Sequence, residues 1–256
     1  MPKKPGDDSR KKFTYKYYHP SSLTAVEREA LLNSVQQLTH IAWGKFDRAF
    51  LDKHIFSASV QLVIAYDNGS IAGFCATRQV TLLKKKVLYL EFTVVDPGYQ
   101  GYGLGPWLTF LAVKKLILKN IWRTIFGSID VMLLTPNIRA LVKVAHASSK
   151  IYPNPFLANH EDGRIEQADD ETWNMAQELI RQSDNPTRRL DREGLVLHDS
   201  YYETPDLIYH DENIPWHHNE TVNKFAKRYL KYGEGADLEF VVRARITLRS
   251  VVNNFF

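Results

Sequence analysis

The chain has 256 residues, of which 44% are hydrophobic and 24% charged, and its formal net charge is +4. These values are typical of a soluble globular protein with one large domain or two small ones. The small net charge gives no support for a nucleic-acid partner or a charged membrane surface. No apolar stretch approaches the length of a membrane span, and a single cysteine excludes both a disulfide within the chain and a cysteine-based zinc site.

The first twelve residues carry much of the positive charge, and Met1 is their only apolar member. This composition predicts a disordered basic tail over residues 1–12 rather than a signal peptide or anchor, and hence a cytoplasmic protein. Residues 13–256 are then predicted to form a single domain that begins with a strand at Phe13.

Two helices are predicted next. Ser21 or Ser22 is a candidate N-cap for a helix to about His40, whose apolar face would include Ile41. A shorter helix is predicted over residues 47–54.

A hairpin follows these helices. Asp67-Asn-Gly-Ser70 separates two runs rich in β-branched and aromatic residues, and Asn-Gly supplies the left-handed conformations of a tight turn. Cys75 lies in the second run, where a buried and inert thiol is expected.

The most informative segment is a strand, a glycine-rich loop and a helix start over residues 89–108. The apolar run from Leu88 to Val95 predicts the strand, and Pro97-Gly98 ends it. Three alternate glycines follow, and Pro106 suits the first turn of a helix. A glycine loop that leads into a helix N-terminus binds anions, because its N–H groups are unpaired and the helix dipole adds roughly half a positive charge. A pyrophosphate is the expected ligand.

The spacing of the glycines distinguishes between kinds of phosphate loop. A dinucleotide loop needs Gly-x-Gly-x-x-Gly and a Walker loop needs Gly-Lys-Ser/Thr, and neither occurs here. The order Gln100-Gly-Tyr-Gly-Leu-Gly105 fits a third pattern, Gln/Arg-x-x-Gly-x-Gly/Ala. A tight turn that enters an ordinary helix is the alternative interpretation.

With this loop, the chain resembles the GNAT (Gcn5-related N-acetyltransferase) superfamily. Val95-Asp-Pro-Gly-Tyr-Gln-Gly-Tyr-Gly-Leu-Gly105 is similar to its acyl-CoA loop, and Leu88-Tyr-Leu-Glu91 resembles its polyamine branch. The resemblance implies a mixed α/β fold with a mostly antiparallel twisted sheet flanked by helices. It implies acetyl-CoA or another acyl-CoA as co-substrate, and it leaves a homodimer open.

The resemblance also implies which residues bind the coenzyme. The loop amides would hold the pyrophosphate, the strand before the loop would pair with pantetheine, and the amide of Val94 would bond the thioester oxygen. Asn137 matches a coenzyme-contacting asparagine of the family, although a helix N-cap explains it equally well. The implied residues are Thr93, Val94, Val95, Gln100, Gly101, Tyr102, Gly103, Leu104, Gly105, Pro106 and Asn137.

Glu91 is the candidate catalytic residue. It is the only acidic side chain inside its strand, and alternation places it on the same face as Tyr89 and Thr93. In the polyamine branch a glutamate at this position activates the amine, often through water. The alternative is a structural carboxylate paired with a lysine or arginine of an adjacent strand.

Two features depart from the polyamine branch. Phe92 stands where those enzymes carry an acidic residue, so a polyamine acceptor is less favoured. Many relatives have a tyrosine seven residues after the asparagine, where this chain has Val144. Tyr152 and His146 lie nearby in sequence but do not match that position, so no residue is assigned to protonate the leaving thiolate.

The end of the chain also departs from the family. Residues 150–235 carry two amphipathic helical patterns, one behind a possible Asn219 cap, and are interpreted as an inserted helical and irregular subdomain on the acceptor side. Shielding of a sheet edge is the alternative. Residues 238–248 alternate and predict a last strand with one buried face.

The sequence as a whole predicts an acyl-CoA-dependent N-acyltransferase that acts on a primary amine of a small molecule or peptide. A non-catalytic acyl-CoA-binding sensor or scaffold of the same fold is the alternative. The nine histidines show no metal-ligand spacing, so no metal is expected.

Overall fold

A computed structural model describes residues 13–119, 122, 127–183, 185–200, 214–232, 234 and 237–250. The basic tail predicted for residues 1–12 lies outside the described residues. The chain separates into two compact units, Met1–Gln79 with Tyr89–Asn120, and Val80–Leu88 with Ile121–Phe256. The single domain predicted for residues 13–256 stays a prediction.

The first unit combines a run of neighbouring strands with three α-helices. Its elements are β1 (Thr14–Tyr18), α1 (Ala25–Trp43), α2 (Arg48–Ile55), β2 (Val60–Asp67), most of β3 (Ser70–Leu82) and β4 (Lys85–Val95), and α3 (Leu104–Lys119). The strands follow the order β1-β2-β3-β4. β1 and β2 are antiparallel, and so are β2 and β3. Asn68 and Gly69 form the predicted hairpin turn with φ values of 50° and 88°.

The helix starts of this unit show which polar side chains cap the backbone. α1 begins after Thr24, which forms a capping box with Glu27, so the prediction of Ser21 or Ser22 as the cap was wrong. Ile41 is 56% exposed and does not belong to the buried face. Asp47 caps α2 by accepting a bond from the Ala49 amide.

The core of the first unit forms where β2 and β3 pack against α3. It includes Phe13, Val63, Ala65, Ala72, Cys75, Leu104, Leu108 and Ala112. The Cys75 thiol is buried, and this burial raises its pKa to about 11. The prediction of a buried thiol is therefore confirmed.

The second unit is built around its last strand. Its elements are β5 (Ile129–Thr135), α4 (Ile138–Ala147), β6 (Lys150–Tyr152), α5 (Asp170–Arg181), β7 (Leu190–Asp191), β8 (Val196–His198), α6 (Glu220–Leu230) and β9 (Leu238–Ile246). β9 pairs antiparallel with β5, β6 and β8. Asn137 and Asn219 cap α4 and α6, as their sequence positions suggested.

The last strand is buried on both faces, so the prediction of one buried face was wrong. Phe240 stacks on Phe225 of α6, with ring centroids 4.9 Å apart. On the polar face, Arg243 donates to Asp130 of β5 at 3.0 Å and to Thr172 of α5 at 3.0 Å. Burial of this polar face is tolerated because its charged groups are paired.

Residues 150–235 contribute helices α5 and α6 and strands β6, β7 and β8 to the second unit. The region is therefore not only helical and irregular as predicted, because its strands β6 and β8 pair with β9. The acceptor-side location of this region stays a prediction. Each strand pair whose register is described is antiparallel, and the predicted mixed α/β class is confirmed. Among the described residues, no helix is long and apolar enough to cross a membrane.

Candidate coenzyme loop and active site

The glycine loop is held in place at its start by two polar contacts within the first unit. The Asp96 carboxylate accepts a hydrogen bond from the Gly98 amide at 2.7 Å. The Tyr99 hydroxyl donates to Asp67 Oδ2, also at 2.7 Å, and the Tyr99 ring lies edge-on to Phe13. These contacts tie the loop to the β2–β3 hairpin, so the following residues start from a fixed point.

Two glycines of the loop require their backbone freedom. Gly101 has φ +87° and Gly103 has φ +75°, in the left-handed region that side chains rarely adopt, while a Cβ at either position would meet open space. Gly105 differs, because a Cβ there would lie 3.4 Å from Val95 Cγ2. The first two glycines shape the loop, whereas a Cβ at the third would make only ordinary van der Waals contact with the end of β4.

The loop presents a row of available amides. Of the described residues, none accepts a well-formed hydrogen bond from the backbone N–H groups of residues 101–105. Trp107, after Pro106, is the first residue of this stretch whose amide is bonded, to Gly103 O at 3.1 Å. Because these free N–H groups coincide with the positive end of the α3 dipole, the loop can bind an anion such as a pyrophosphate.

The side chains predicted to surround the coenzyme divide into packed and exposed ones. Thr93 Oγ1 lies 3.4 Å from Cys75 Sγ and 3.3 Å from Thr109 Oγ1, so Thr93 joins β4 to β3 and α3. Val94 and Leu104 are buried, whereas Gln100 and Tyr102 are exposed. The packed side chains hold the backbone of β4 and the loop in position, and the exposed side chains are accessible to a ligand.

Asn137 has the capping role that its sequence position allowed. Its side-chain oxygen accepts hydrogen bonds from the amides of Arg139 at 2.9 Å and Ala140 at 3.2 Å. It belongs to the second unit, at the start of α4. Its predicted contact with the coenzyme stays a prediction.

Glu91 is a buried carboxylate with two basic neighbours. Its side chain is 5% exposed and forms an ion pair with Arg78 of the neighbouring strand β3. His54 Nδ1 of α2 lies 3.6 Å from Glu91 Oε2. The Arg78 guanidinium also lies over the Tyr89 ring, 5.2 Å from its centroid. The sequence left two roles open for Glu91, a catalytic one and a structural one. The ion pair with Arg78 corresponds to the structural role.

Aromatic side chains gather next to this carboxylate, and sequence reasoning missed them. Phe92 lies 5.9 Å from Trp43, 6.5 Å from Phe46 and 6.1 Å from Phe50, measured between ring centroids. The His54 ring lies 4.2 Å from Phe50. The rings come from α1, the segment after it, α2 and β4, so no local pattern could bring them together.

Of the two residues close in sequence to the expected leaving-group acid, Tyr152 is engaged in hydrogen bonds and His146 is exposed. The Tyr152 hydroxyl donates to the Glu166 carbonyl at 2.9 Å and accepts from the Gly194 amide at 3.2 Å. Burial raises the pKa of Tyr152 to about 12. His146 is exposed, and its ring lies 4.9 Å from that of Phe156. Within the described ranges, no group of three or more His, Cys, Asp or Glu could hold a metal ion.

Comparison with known proteins agrees with this loop geometry. The sequence profile of the acetyltransferase (GNAT) family matches residues 28–132, less than half of the chain but including β4, the loop and α3. No curated protein matches the chain significantly.

Three solved structures illustrate the similarity. The glucosamine N-acetyltransferase region of a fungal multi-domain GH3 β-N-acetylglucosaminidase is 21% identical over 73% of this chain and 18% of that chain, with a TM-score of 0.39. An acyl-CoA N-acyltransferase from Pseudomonas aeruginosa is 17% identical over 48% of this chain and 80% of that one, with a TM-score of 0.37.

The third is YhbS from Escherichia coli, a GNAT family N-acetyltransferase in complex with CoA. It is 15% identical over 51% of this chain and 66% of that one, with a TM-score of 0.38. This chain thus spans less than a fifth of the fungal protein. Residues 28–132, which include the glycine loop with its row of amides, thus match the model of the GNAT acetyltransferase family.

Proposed function

We propose that this protein is an acyl-CoA-dependent N-acyltransferase with acetyl-CoA as its donor. The acceptor is a primary amine of a small molecule or peptide, which attacks the thioester directly. The observation that carries the proposal is the row of free amides over residues 101–105 at the N-terminus of α3. A pyrophosphate bound there would be neutralised by backbone dipoles without any basic side chain.

The residues of the first unit supply the groups that this transfer requires. The amine nitrogen forms a bond to the acyl carbon, the carbon–sulfur bond breaks with its electron pair on sulfur so that coenzyme A leaves as a thiolate, and the amine loses a proton to a base. Glu91 is the proposed base, directly or through water. The Val94 amide is the proposed donor to the thioester oxygen, and loss of such a donor typically costs about 3 kcal/mol.

The ion pair of Glu91 places a condition on this role. A proton on Glu91 would remove the charge that pairs with Arg78, so the proton has to leave again in each cycle. His54 Nδ1, 3.6 Å from the carboxylate, is the proposed acceptor of that proton.

A non-catalytic acyl-CoA-binding sensor is the second candidate. The Arg78–Glu91 ion pair and the valine at position 144 favour it, because both remove groups expected of an active enzyme. A sensor would bind the coenzyme without turnover and would be indifferent to Glu91→Gln.

Thermal stabilisation by acetyl-CoA, free coenzyme A and a long-chain acyl-CoA tests the coenzyme site. A ligand at about 100 times its dissociation constant should add roughly 2.7 kcal/mol to the stability of the folded protein. Gly103→Glu should abolish the shift by placing a carboxylate beside the phosphates.

Gly69→Glu is the matched control, because Gly69 also has a positive φ of 88° and open space around its Cβ position but lies in the hairpin turn. It should keep the stabilisation that Gly103→Glu loses. Acetyl transfer to an amine panel then distinguishes enzyme from sensor. An absence of stabilisation by every thioester would refute both candidates.

A further inference from the structure

Four aromatic side chains form a cluster that we call the aromatic patch: Trp43, Phe46, Phe50 and Phe92. One of these rings is buried and three are partly accessible. Phe46 is 5% exposed and supports the other three. Trp43, Phe50 and Phe92 are each partly exposed. Neighbouring rings are tilted or edge-on, at interplanar angles of 48–89°. The three partly exposed rings leave an apolar surface that a ligand can contact.

The aromatic patch adjoins the proposed base through His54. The His54 ring lies 4.2 Å from Phe50 and 6.2 Å from Phe92, while its Nδ1 lies 3.6 Å from Glu91 Oε2. A ligand whose amine reaches the carboxylate would therefore place its body against aromatic faces.

The charges around Glu91 restrict the kind of amine that fits. Glu91 is already paired with Arg78, so this end of the site carries no surplus negative charge. The other acidic groups of α1 and α2 are used elsewhere. Asp52 pairs with Arg28, Glu29 pairs with Arg48, Glu27 bonds Thr24, and Asp47 caps α2. A polyamine would bring several positive charges to a site with one neutralised carboxylate, which is unfavourable on electrostatic grounds.

We propose that the aromatic patch binds the acceptor and selects a monoamine with an aromatic body, whose amine lies toward Glu91. This inference rests on the proposed acyl transfer and names its acceptor class. An aromatic body gains from edge-to-face contacts with the rings, and an ammonium that approaches them gains from their negative faces. A sugar amine or a polyamine lacks the ring that makes the edge-to-face contacts.

The first test compares 2-phenylethylamine, glucosamine and spermidine as acceptors of the full chain at saturating acetyl-CoA. Wild-type protein should acetylate 2-phenylethylamine with the highest kcat/KM. Phe50→Leu keeps an apolar side chain but removes the ring, and it should lower that kcat/KM about 5- to 30-fold with no change in the KM for acetyl-CoA.

Tyr17→Leu is the control variant, since Tyr17 is a 45% exposed aromatic on β1 outside the patch. It should leave the kcat/KM for 2-phenylethylamine unchanged. A wild-type preference for spermidine or glucosamine would overturn the inference. Equal effects of Phe50→Leu and Tyr17→Leu would overturn it as well.

Direct binding of 2-phenylethylamine, measured by calorimetry with free coenzyme A present, separates this inference from the proposed function. Binding that Phe50→Leu weakens, without any turnover, would support the aromatic site and refute the transferase. Turnover of another amine without 2-phenylethylamine binding would support the transferase and overturn the aromatic site. Arg78→Gln should release the Glu91 charge and raise the relative use of spermidine, whereas unchanged selectivity would count against the charge argument.

Discussion

Replacement of Gly73 by alanine tests how tightly β3 packs against the end of β4. A Cβ on Gly73 would lie 2.9 Å from the carbonyl oxygen of Val94 and 3.1 Å from Leu108 Cδ1. The first contact is to backbone, so β4 or α3 has to shift to accept the methyl group. Overpacking of this kind costs about 1–3 kcal/mol.

The assay is thermal unfolding without ligand, with urea unfolding as a second measure. At about 3 °C per kcal/mol for a chain of this size, Gly73→Ala should lower Tm by roughly 3–9 °C. Since Val94 also carries the amide proposed to bond the thioester, the variant should show weaker stabilisation by acetyl-CoA.

Gly105→Ala is the matched control. Its Cβ would make ordinary contacts at 3.4 Å with Val95 Cγ2 and 3.7 Å with Thr93 Cγ2, in a helical position that favours alanine. It should leave the Tm of the ligand-free protein unchanged or raise it. An unchanged Tm for Gly73→Ala, or an equal fall for both variants, would refute the packing argument.

Three further predictions concern pH, thiol reactivity and helix capping. The ion pair with Lys85 lowers the pKa of Glu171 to about 2, so its contribution to stability is complete above about pH 5 and is lost as the pH falls toward 2. The difference in unfolding free energy between wild type and Glu171→Gln should therefore shrink over that range, and a constant difference would contradict the assignment. Burial and a pKa raised to about 11 should make Cys75 react with a thiol reagent far more slowly in native protein than in urea, whereas equal rates would show that the site opens readily. Thr24→Ala should cost about 1 kcal/mol because it removes the cap of α1, while Ser22→Ala should change stability by less than about 0.5 kcal/mol, and the reverse order would favour the cap predicted from sequence.

The features that sequence determined by itself are those that depend on a few consecutive residues. The left-handed turn at Asn68-Gly69 and the positive φ values of Gly101 and Gly103 are local requirements that other side chains meet poorly. Asn137 caps α4 for the same reason, because its side chain reaches amides only two and three residues ahead. The glycine loop and its capacity to bind an anion could therefore be read from the chain.

The choice between neighbouring caps depended on a local pattern that the sequence prediction missed. Ser21, Ser22 and Thr24 are all suitable residue types, but Thr24 is followed three residues later by Glu27, which completes a capping box. Burial of β9 on both faces depended instead on distant partners. The alternating pattern predicted that Arg243 lies on a face exposed to solvent. In the structure Arg243 donates hydrogen bonds to Asp130 and Thr172 on that face. Charge alternation cannot reveal such a face, because the compensating groups come from other elements.

The candidate active site depended most on tertiary structure. Glu91 could be singled out from its strand, but its pairing with Arg78 and its approach to His54 depend on the packing of β3 and α2 beside β4. The aromatic patch has no sequence signature, since Trp43, Phe50 and Phe92 come from three separate elements. Local backbone chemistry thus determined where the glycine loop lies. Long-range packing alone decided which side chains surround the carboxylate, because side chains far apart in the chain meet only when their elements pack together.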